Sequence, residues 1–349
     1  MKTLSDYAAE IKKCSKCGLC QSVCPVYKKT GNDCAVSRGK FVMLDGILRN
    51  DLKLSKTIDK YLNLCMKCGK CSDFCPAGID VCDILAAAKN EYMRHTLSGR
   101  FCWFLYEIFF DCLNKIKSSP LQKKNSNLMK IVYFKGCVNK IYPKVEKALK
   151  KIIKYYDIEL YEKDFDCCGL PFLSNGNLKR FEKAKMKNLK NLEGDFDYIL
   201  TDCASCEYTL HGYGLDNVIN IGDFIAKYPK KFIFQSPVTV TFHKPCHLKE
   251  ISFFKDILAM CVNVKYVEFE GYDECCGFAG EFALNNPMLS RKISADKAEN
   301  IRKSGADYVL SLCPSCNMGI HQGFLTNGMF KHPKIKNLIE FLAFADKIV

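Results

Sequence analysis

Residues 65–76 read C-M-K-C-G-K-C-S-D-F-C-P, and residues 14–25 read C-S-K-C-G-L-C-Q-S-V-C-P. In each run three cysteines stand at intervals of three, a fourth follows after three spacers, and a proline closes the segment. That is a ligand run for a [4Fe-4S] cubane. A lone C-x-x-C is more often zinc or dithiol chemistry, but two full copies, each ending in Cys-Pro, leave little room for either. A short loop wraps three thiolates round one cubane while the fourth points away to the neighbouring one. Cys14, Cys17, Cys20 and Cys75 are therefore expected to hold one cluster, and Cys65, Cys68, Cys71 and Cys24 the other. Gly18 and Gly69 fall where the loop must turn its amides toward inorganic sulfur. Pro25 and Pro76 end the loop and start the next segment.

The totals narrow the class. A chain of 349 residues can form two or three domains around a substantial core. Its 23 cysteines would suit a disulfide scaffold only in a short secreted protein. The first residues, M-K-T-L-S-D-Y-A-A-E, contain no apolar signal-peptide core, so a reducing cytoplasmic setting is expected. With 52 basic against 38 acidic residues the formal charge is +14. Bound cubanes offset part of that, each carrying about two negative charges with its four thiolates when oxidised. The remaining basicity suits an acidic partner, an anionic membrane surface or anionic substrates. The lysines are spread out with no reader motif, so no nucleic-acid partner is expected.

Working outward, residues 5–13 read as a short helix leading into the first loop. Residues 37–48 and 51–64 read as two further helices, the second delivering Cys65. Cys34 has no partner at motif spacing and reads as a free or packed thiol. Past Pro76, G-I-D-V-C-D-I-L-A-A-A-K-N-E-Y-M-R reads as a helix with Ile79, Leu85, Ala86 and Tyr92 on one side, and Cys82 in its core. Residues 101–113, F-C-W-F-L-Y-E-I-F-F-D-C-L, are the most apolar stretch. They are too short to span a bilayer and are interrupted by Glu107 and Asp111. Packing against the iron-sulfur domain is the first expectation; docking a partner subunit and lying in a membrane interface are the alternatives. The polar run that follows, K-I-K-S-S-P-L-Q-K-K-N-S-N, reads as a linker with a domain boundary near residue 120.

The rest of the chain is an internal repeat. I-V-Y-F-K-G-C at 131–137 matches V-T-F-H-K-P-C at 240–246, and F-D-C-C-G-L at 165 matches D-E-C-C-G-F at 273. F-D-Y-I-L-T-D-C-A-S-C-E-Y-T-L-H at 196 matches A-D-Y-V-L-S-L-C-P-S-C-N-M-G-I-H at 306, with His211 and His321 in register. Apolar strands alternate with amphipathic helices over 143–155, 178–189 and 290–303. This is a parallel α/β pattern with cysteines at the carboxyl ends of strands. Each repeat supplies five: Cys137, Cys167, Cys168, Cys203 and Cys206, then Cys246, Cys275, Cys276, Cys313 and Cys316. Neighbouring cysteines share a site only if the backbone bends, which Gly169 and Gly277 permit. Metal binding is the reading, with iron-sulfur and zinc both open on spacing alone.

On these motifs the chain resembles the iron-sulfur proteins that join a two-cluster ferredoxin domain to two cysteine-rich CCG domains. The group includes the glycolate-oxidase and lactate-utilization iron-sulfur subunits, the anaerobic glycerol-3-phosphate dehydrogenase small subunit and a heterodisulfide reductase subunit. The resemblance runs from Cys14 to about Gly323. S-R-G-K at 37–40 looks like the group's S-P-R-G-R without its proline. H-K-P-C-H-L at 243–248 and C-C-G-F-A-G at 275–280 look like its H-D-P-C-H-L and C-C-G-F-G-G. The resemblance implies an α-helical two-cluster domain followed by two parallel α/β CCG domains. It also implies electron transfer between a dehydrogenase flavin and an acceptor, with non-cubane [4Fe-4S] clusters at CCG cysteines in the disulfide-cleaving members. The spacing from the first cysteine to the Cys-Cys pair is slightly shorter here than in those members.

The expected units are 1–98 (two cubanes), 99–127 (apolar helix and linker), 128–235 and 236–349 (the two repeats). His243 and His247 flank Cys246 and are the candidate catalytic proton carriers, with hydrogen-bonded core roles and direct ligation as alternatives. The chain has no dinucleotide fingerprint, so flavin or NAD is expected from another subunit. The leading expectation is an electron-transfer subunit of a flavin-linked 2-hydroxyacid or related dehydrogenase. It would serve a flavoprotein partner and a soluble or quinone-linked acceptor, in the cytoplasm or peripherally on the cytoplasmic face of a membrane. A disulfide reductase using a CCG cluster is the alternative, and a zinc-stabilised interaction protein a weaker third.

Overall fold

The computed structural model of the protein describes residues 2–115 and 128–349. The boundary expected near residue 120, and all of the linker beyond Lys115, lie outside the described residues.

The N-terminal unit is helical around the two cysteine loops. Its principal helices are α1 (Ser37–Leu48), α2 (Lys56–Asn63), α3 (Val81–His95) and α4 (Leu97–Asn114). α1 buries Phe41 and Leu44 against Ile58 and Leu62 of α2 and Ile84 and Leu85 of α3. α2 begins later than the expected residue 51. Asn50 at φ 64 ends α1, and the amides of Asp51 and Leu52 turn back onto the Gly46 carbonyl. Ser55 then caps α2 by accepting from the Ile58 amide, and Asp80 caps α3 through the Cys82 and Asp83 amides.

Two parallel sheets follow, each with the same strand order. The first comprises β1 (Met129–Tyr133), β2 (Ile158–Glu162), β3 (Tyr198–Thr201) and β4 (Val218–Asn220), in the order β2-β1-β3-β4. The second repeats that order as β6-β5-β7-β8, from β5 (Phe232–Phe242), β6 (Cys261–Tyr266), β7 (Tyr308–Ser311) and β8 (Lys334–Asn337). A short β9 (Lys347–Ile348) runs antiparallel to the start of β5. Parallel neighbours require crossovers. The helices that make them include α5 (Pro143–Ile153), α6 (Leu178–Leu192) and α7 (Ala204–His211), then α8 (Pro287–Lys303) and α9 (Pro314–Thr326). β5 begins at Phe232 and continues through residues 235 and 236, with a shift of register against β6 between Ile233 and Val238.

The repeats share one core. Ile131, Leu149 and Phe224 of the first belong to the same apolar cluster as Phe242, Phe254 and Leu310 of the second. The N-terminal unit docks on the second repeat through an apolar patch, Val26, Ala35 and Met66 against Phe282 and Ile293. Ion pairs ring it: Lys28–Glu274 (2.6 Å), Lys70–Asp273 (3.0 Å), Lys89–Glu281 (2.6 Å) and Lys29–Asp296. α4 lies on α3 and the first repeat. Phe110 stacks edge-on against Phe172 at 5.2 Å, and Trp103 Nε1 donates to the Asn175 carbonyl at 3.2 Å.

Candidate iron-sulfur sites

Gly18 and Gly69 hold left-handed backbone (φ 88 and 75) at the point where each loop turns into a short helix. The turns fold each loop round a cavity. Cys14, Cys17, Cys20 and Cys75 line one, beside Arg38. Cys24, Cys65, Cys68 and Cys71 line the other, and Cys71 also borders the first. Each cavity thus has a cysteine of the opposite loop on its wall, Cys75 in the first and Cys24 in the second. Cys82 lines the second cavity as well, a placement that its position inside a helix did not suggest. Burial pushes the Cys71 thiol up to about 12, and Cys24 also upward, so these groups resist ionising unless a cation binds them. Cys34 is half-buried and lines neither cavity.

The repeat cysteines gather at the carboxyl ends of their strands. Cys137 Sγ lies 3.3 Å from Cys167 Sγ, and Cys168 hydrogen-bonds Cys167 and Cys206. In the second repeat Cys246 pairs with Cys275, and Cys276 with Cys275 and Cys316. Both Cys-Cys bends rest on a glycine at φ 87. At Gly277 a side chain is excluded twice, since a Cβ would lie 2.7 Å from the Ser294 amide nitrogen on α8. Cys203 of the first group meets Cys313 of the second, and the Ala204 amide donates to the Leu312 carbonyl at 2.7 Å. Across the other interface, Cys68 lines the same cleft as Cys246 and lies within electrostatic reach of Cys275 and Cys246.

Whether these donors suit anionic metal–thiolate centres is tested by the cations around them. Lys40 (fully buried), Lys140 and Lys297 lie beside the thiol groups and bond main-chain carbonyls: Ala35 and Leu64, Phe165, and Gly271 respectively. The Lys67 Nζ is buried with no hydrogen-bond partner among the described residues. Burial pushes Lys67 and Lys297 down to about 8. A buried ammonium is costly unless negative charge compensates it, and clustered thiolates supply that charge. The donor set fits iron-sulfur centres.

The two histidines differ. His243 is wholly buried; its Nδ1 is 3.2 Å from the Tyr272 carbonyl, so the proton sits there. Its Nε2 has no partner among the described residues and belongs to a compact group with the Cys276 and Cys316 sulfurs, all within 4.8 Å. Burial drives its pKa down to about 3. That arrangement offers a lone pair toward the thiols and no proton. His247 stacks on Tyr208 at 4.9 Å, with Nδ1 2.9 Å from Ser205 Oγ, which in turn lies 4.0 Å from Cys313 Sγ. His211 and His321 are both exposed, His211 Nδ1 lying 3.1 Å from the Leu215 carbonyl.

Two clefts flank the repeat interface, and they correspond under the repeat. One, of about 230 Å³, is walled by Leu170 and Tyr208 of the first repeat and by His247 and Leu248 of the second; Cys68 and Lys70 of the N-terminal unit cover it. The other, of about 880 Å³, is walled by the corresponding Phe278 and Met318 of the second repeat and Asn139 of the first. Among the described residues, none from the N-terminal unit lines the second cleft. Arg291, Lys144 and His321 stand at it, and the buried Asn139 Oδ1 has no partner among the described residues.

Family models agree with this layout. The 4Fe-4S dicluster domain model matches residues 10–79, and the cysteine-rich domain model, CCG, matches twice, at 131–211 and 240–321. The chain belongs to the iron-sulfur proteins that join a 4Fe-4S dicluster domain to two CCG domains, and it is built to hold several iron-sulfur clusters. Among its relatives, a subunit of the fumarate reductase (CoM/CoB) of Methanothermobacter marburgensis is 28% identical over 96% of this chain and 72% of its own length. A subunit of the dihydromethanophenazine:CoB–CoM heterodisulfide reductase of Methanosarcina acetivorans is 23% identical over 90% and 89%. The probable glycolate oxidase iron-sulfur subunit of Bacillus subtilis is 18% identical over 95% and 93%. A crystal structure of a hypothetical protein from Helicobacter pylori superposes with a TM-score of 0.53 at 11% identity, covering 88% of this chain and 66% of that one, a likeness of fold alone.

Proposed function

We propose that the chain is the iron-sulfur electron-transfer subunit of a flavin-linked dehydrogenase or reductase. Cys14, Cys17, Cys20 and Cys75 hold one cubane, Cys24, Cys65, Cys68 and Cys71 the other, and the two five-cysteine groups hold further iron-sulfur centres. One observation carries the reading: the thiol groups follow one another along the molecule, each within electrostatic reach of the next. Cys68 shares a cleft with Cys246 and lies within electrostatic reach of Cys275 across one interface, and Cys203 meets Cys313 across the other. Bound clusters supply one-electron carriers at these places. The protein's own part is to fix their order and spacing, through the ion-paired docking face and the shared core of the repeats. The relatives are named as subunits of oxidoreductases, and this chain has no dinucleotide motif, which supports a flavoprotein partner with a soluble or quinone-linked acceptor. The test is rapid-mixing reduction of the anaerobic, iron-loaded protein followed by freeze-quench EPR. The cubane signals should appear first, the second repeat next and the first repeat last; simultaneous reduction of all sites at the mixing limit, or the reverse order, overturns the reading.

A second reading, disulfide reduction at the repeats, has the open cleft behind it. Its rim cations suit an anionic substrate, and one relative is named for heterodisulfide reduction. Anaerobic turnover of small anionic disulfides with a chemical electron donor, lost in Arg291→Glu with iron content intact, would support it. Absence of turnover with every disulfide tried leaves the relay alone.

A further inference from the structure

α4 has two faces of opposite character. Trp103, Tyr106, Phe110 and Leu113 turn inward onto α3 and the first repeat. Leu97, Phe101, Phe104, Leu105, Ile108 and Phe109, spaced by three and four, form a continuous outward stripe, each between 45% and 80% exposed. Both acidic residues of this segment have partners in the first repeat. Glu107 accepts from Asn177 Nδ2 at 2.8 Å on the inward side, and Asp111, itself half exposed, has its charge paired with the buried Arg180 at 2.6 Å. No helix among the described residues is long and apolar enough to cross a membrane.

We propose that this stripe seats the protein on an anionic lipid surface, with α4 lying in the plane of the interface. Charge selects that occupant. Arg94 and Arg100 flank the stripe at one end and Lys115 at the other, all exposed, and Lys117, Lys123 and Lys124 follow in the sequence. Basic residues bordering an apolar helical face rich in phenylalanine are the signature of an interfacial helix drawn to anionic headgroups. A protein partner of similar area would be met by hydrogen-bonding groups, and the six residues of the stripe are all apolar, with Ser98, Arg100 and Asp111 only at its edges. The chain's own residues 116–127 contain just Ile116 and Leu121 as large apolar side chains, too few to cover six. The proposal is independent of which redox reading holds.

The experiment is flotation of the anaerobic, iron-loaded full chain with vesicles of phosphatidylcholine alone or mixed with phosphatidylglycerol. Binding is expected only with the anionic vesicles, reversed by high salt, and weakened roughly tenfold or more when Phe104→Glu and Ile108→Glu are combined. Phe330→Glu, at an exposed phenylalanine far along the chain, should bind as the unaltered protein does. Iron content and circular dichroism check that each variant is folded. Three results overturn the proposal: no flotation with anionic vesicles, flotation that the double variant leaves unchanged, or a self-associated species in which α4 is protected without lipid.

Discussion

The two repeats share strand order, cysteine spacing and bend glycines, yet their sites differ in the positions around the first cysteine. Where the second repeat has His243, the first has Phe134, buried and tilted against Phe165 with ring centroids 4.7 Å apart. Where the second has His247, the first has Val138. The N-terminal unit docks on the second repeat and covers one of the two equivalent clefts, while α4 lies along the first. Duplication supplied two equal frames. The frames are now unequal: the docked repeat lies beside the cubane loop and has an imidazole turned to its thiols, and the other keeps an apolar wall.

The largest expected effect comes from cutting the supply to both repeats at once. Cys24→Ser should remove the second cubane, leave the one at Cys14, Cys17 and Cys20, and strand both repeats unreduced on the rapid-mixing timescale. Cys75→Ser should do the converse to the first cubane. Iron counting with EPR distinguishes them; loss of the same cluster in both variants breaks the cross-ligated assignment.

Next in size is the docking face. Lys89 is 1% exposed and bonds Glu281 at 2.6 Å, so Lys89→Met leaves a largely buried carboxylate without its ammonium. Breaking such a pair costs about 3 kcal/mol. Denaturation should show the N-terminal unit loosening at lower denaturant than the repeats, and Lys89→Met combined with Glu281→Leu should recover most of the loss. A single unchanged transition would mean that the unit is held by its apolar patch alone.

The third prediction makes the repeats more alike. His243→Phe copies Phe134 into the second repeat. The buried Nε2 and the donor to Tyr272 disappear together, so stability should change by less than about 1.5 kcal/mol, the scale for a buried polar group replaced by an apolar one. The EPR or Mössbauer signature of the second repeat should shift, while that of the first stays fixed. An unchanged spectrum would show that the imidazole lone pair does not reach the metal centre.

How far these differences could be read in advance follows from where the information lies. Cysteine spacing carries the cubane loops, and the offset between repeats carries the strand order, because both are local or periodic. The Asp51 start for α2 failed because Asn50 and Gly46 form a return that apolar periodicity does not register. Cys82 and the buried Lys40 and Lys297 reach the thiol groups only through tertiary packing. The acids at 107 and 111 looked like interruptions of an apolar stretch, but their partners, Asn177 and Arg180, are some 70 residues away. The pairing of clefts required knowing which repeat the N-terminal unit covers. A histidine beside a cysteine is legible as a motif, whereas its tautomer is set by a carbonyl 29 residues distant, at Tyr272.

The junction between the repeats is where relay and reductase can be separated. Ser205 Oγ stands between His247 Nδ1 at 2.9 Å and Cys313 Sγ at 4.0 Å, close to where the two thiol groups meet. His247 borders the covered cleft, so the three groups connect that cleft to the Cys203–Cys313 contact. Reducing a disulfide releases two thiols and needs protons delivered there; passing an electron between fixed sites needs none. Ser205→Ala removes the middle group with little change in packing, and His247→Gln keeps a hydrogen-bonding side chain without the imidazole's acid–base chemistry. If thiol chemistry occurs at the repeats, each variant should slow disulfide turnover by roughly tenfold to a hundredfold, within the reach of a lost general acid. Inter-site reduction rates and iron content should remain near those of the unaltered protein. If turnover and inter-site transfer fall together, the serine and histidine position the second repeat's thiols and deliver no proton. If neither falls, the asymmetry between the repeats serves docking and metal binding, and the relay needs no proton path at this junction.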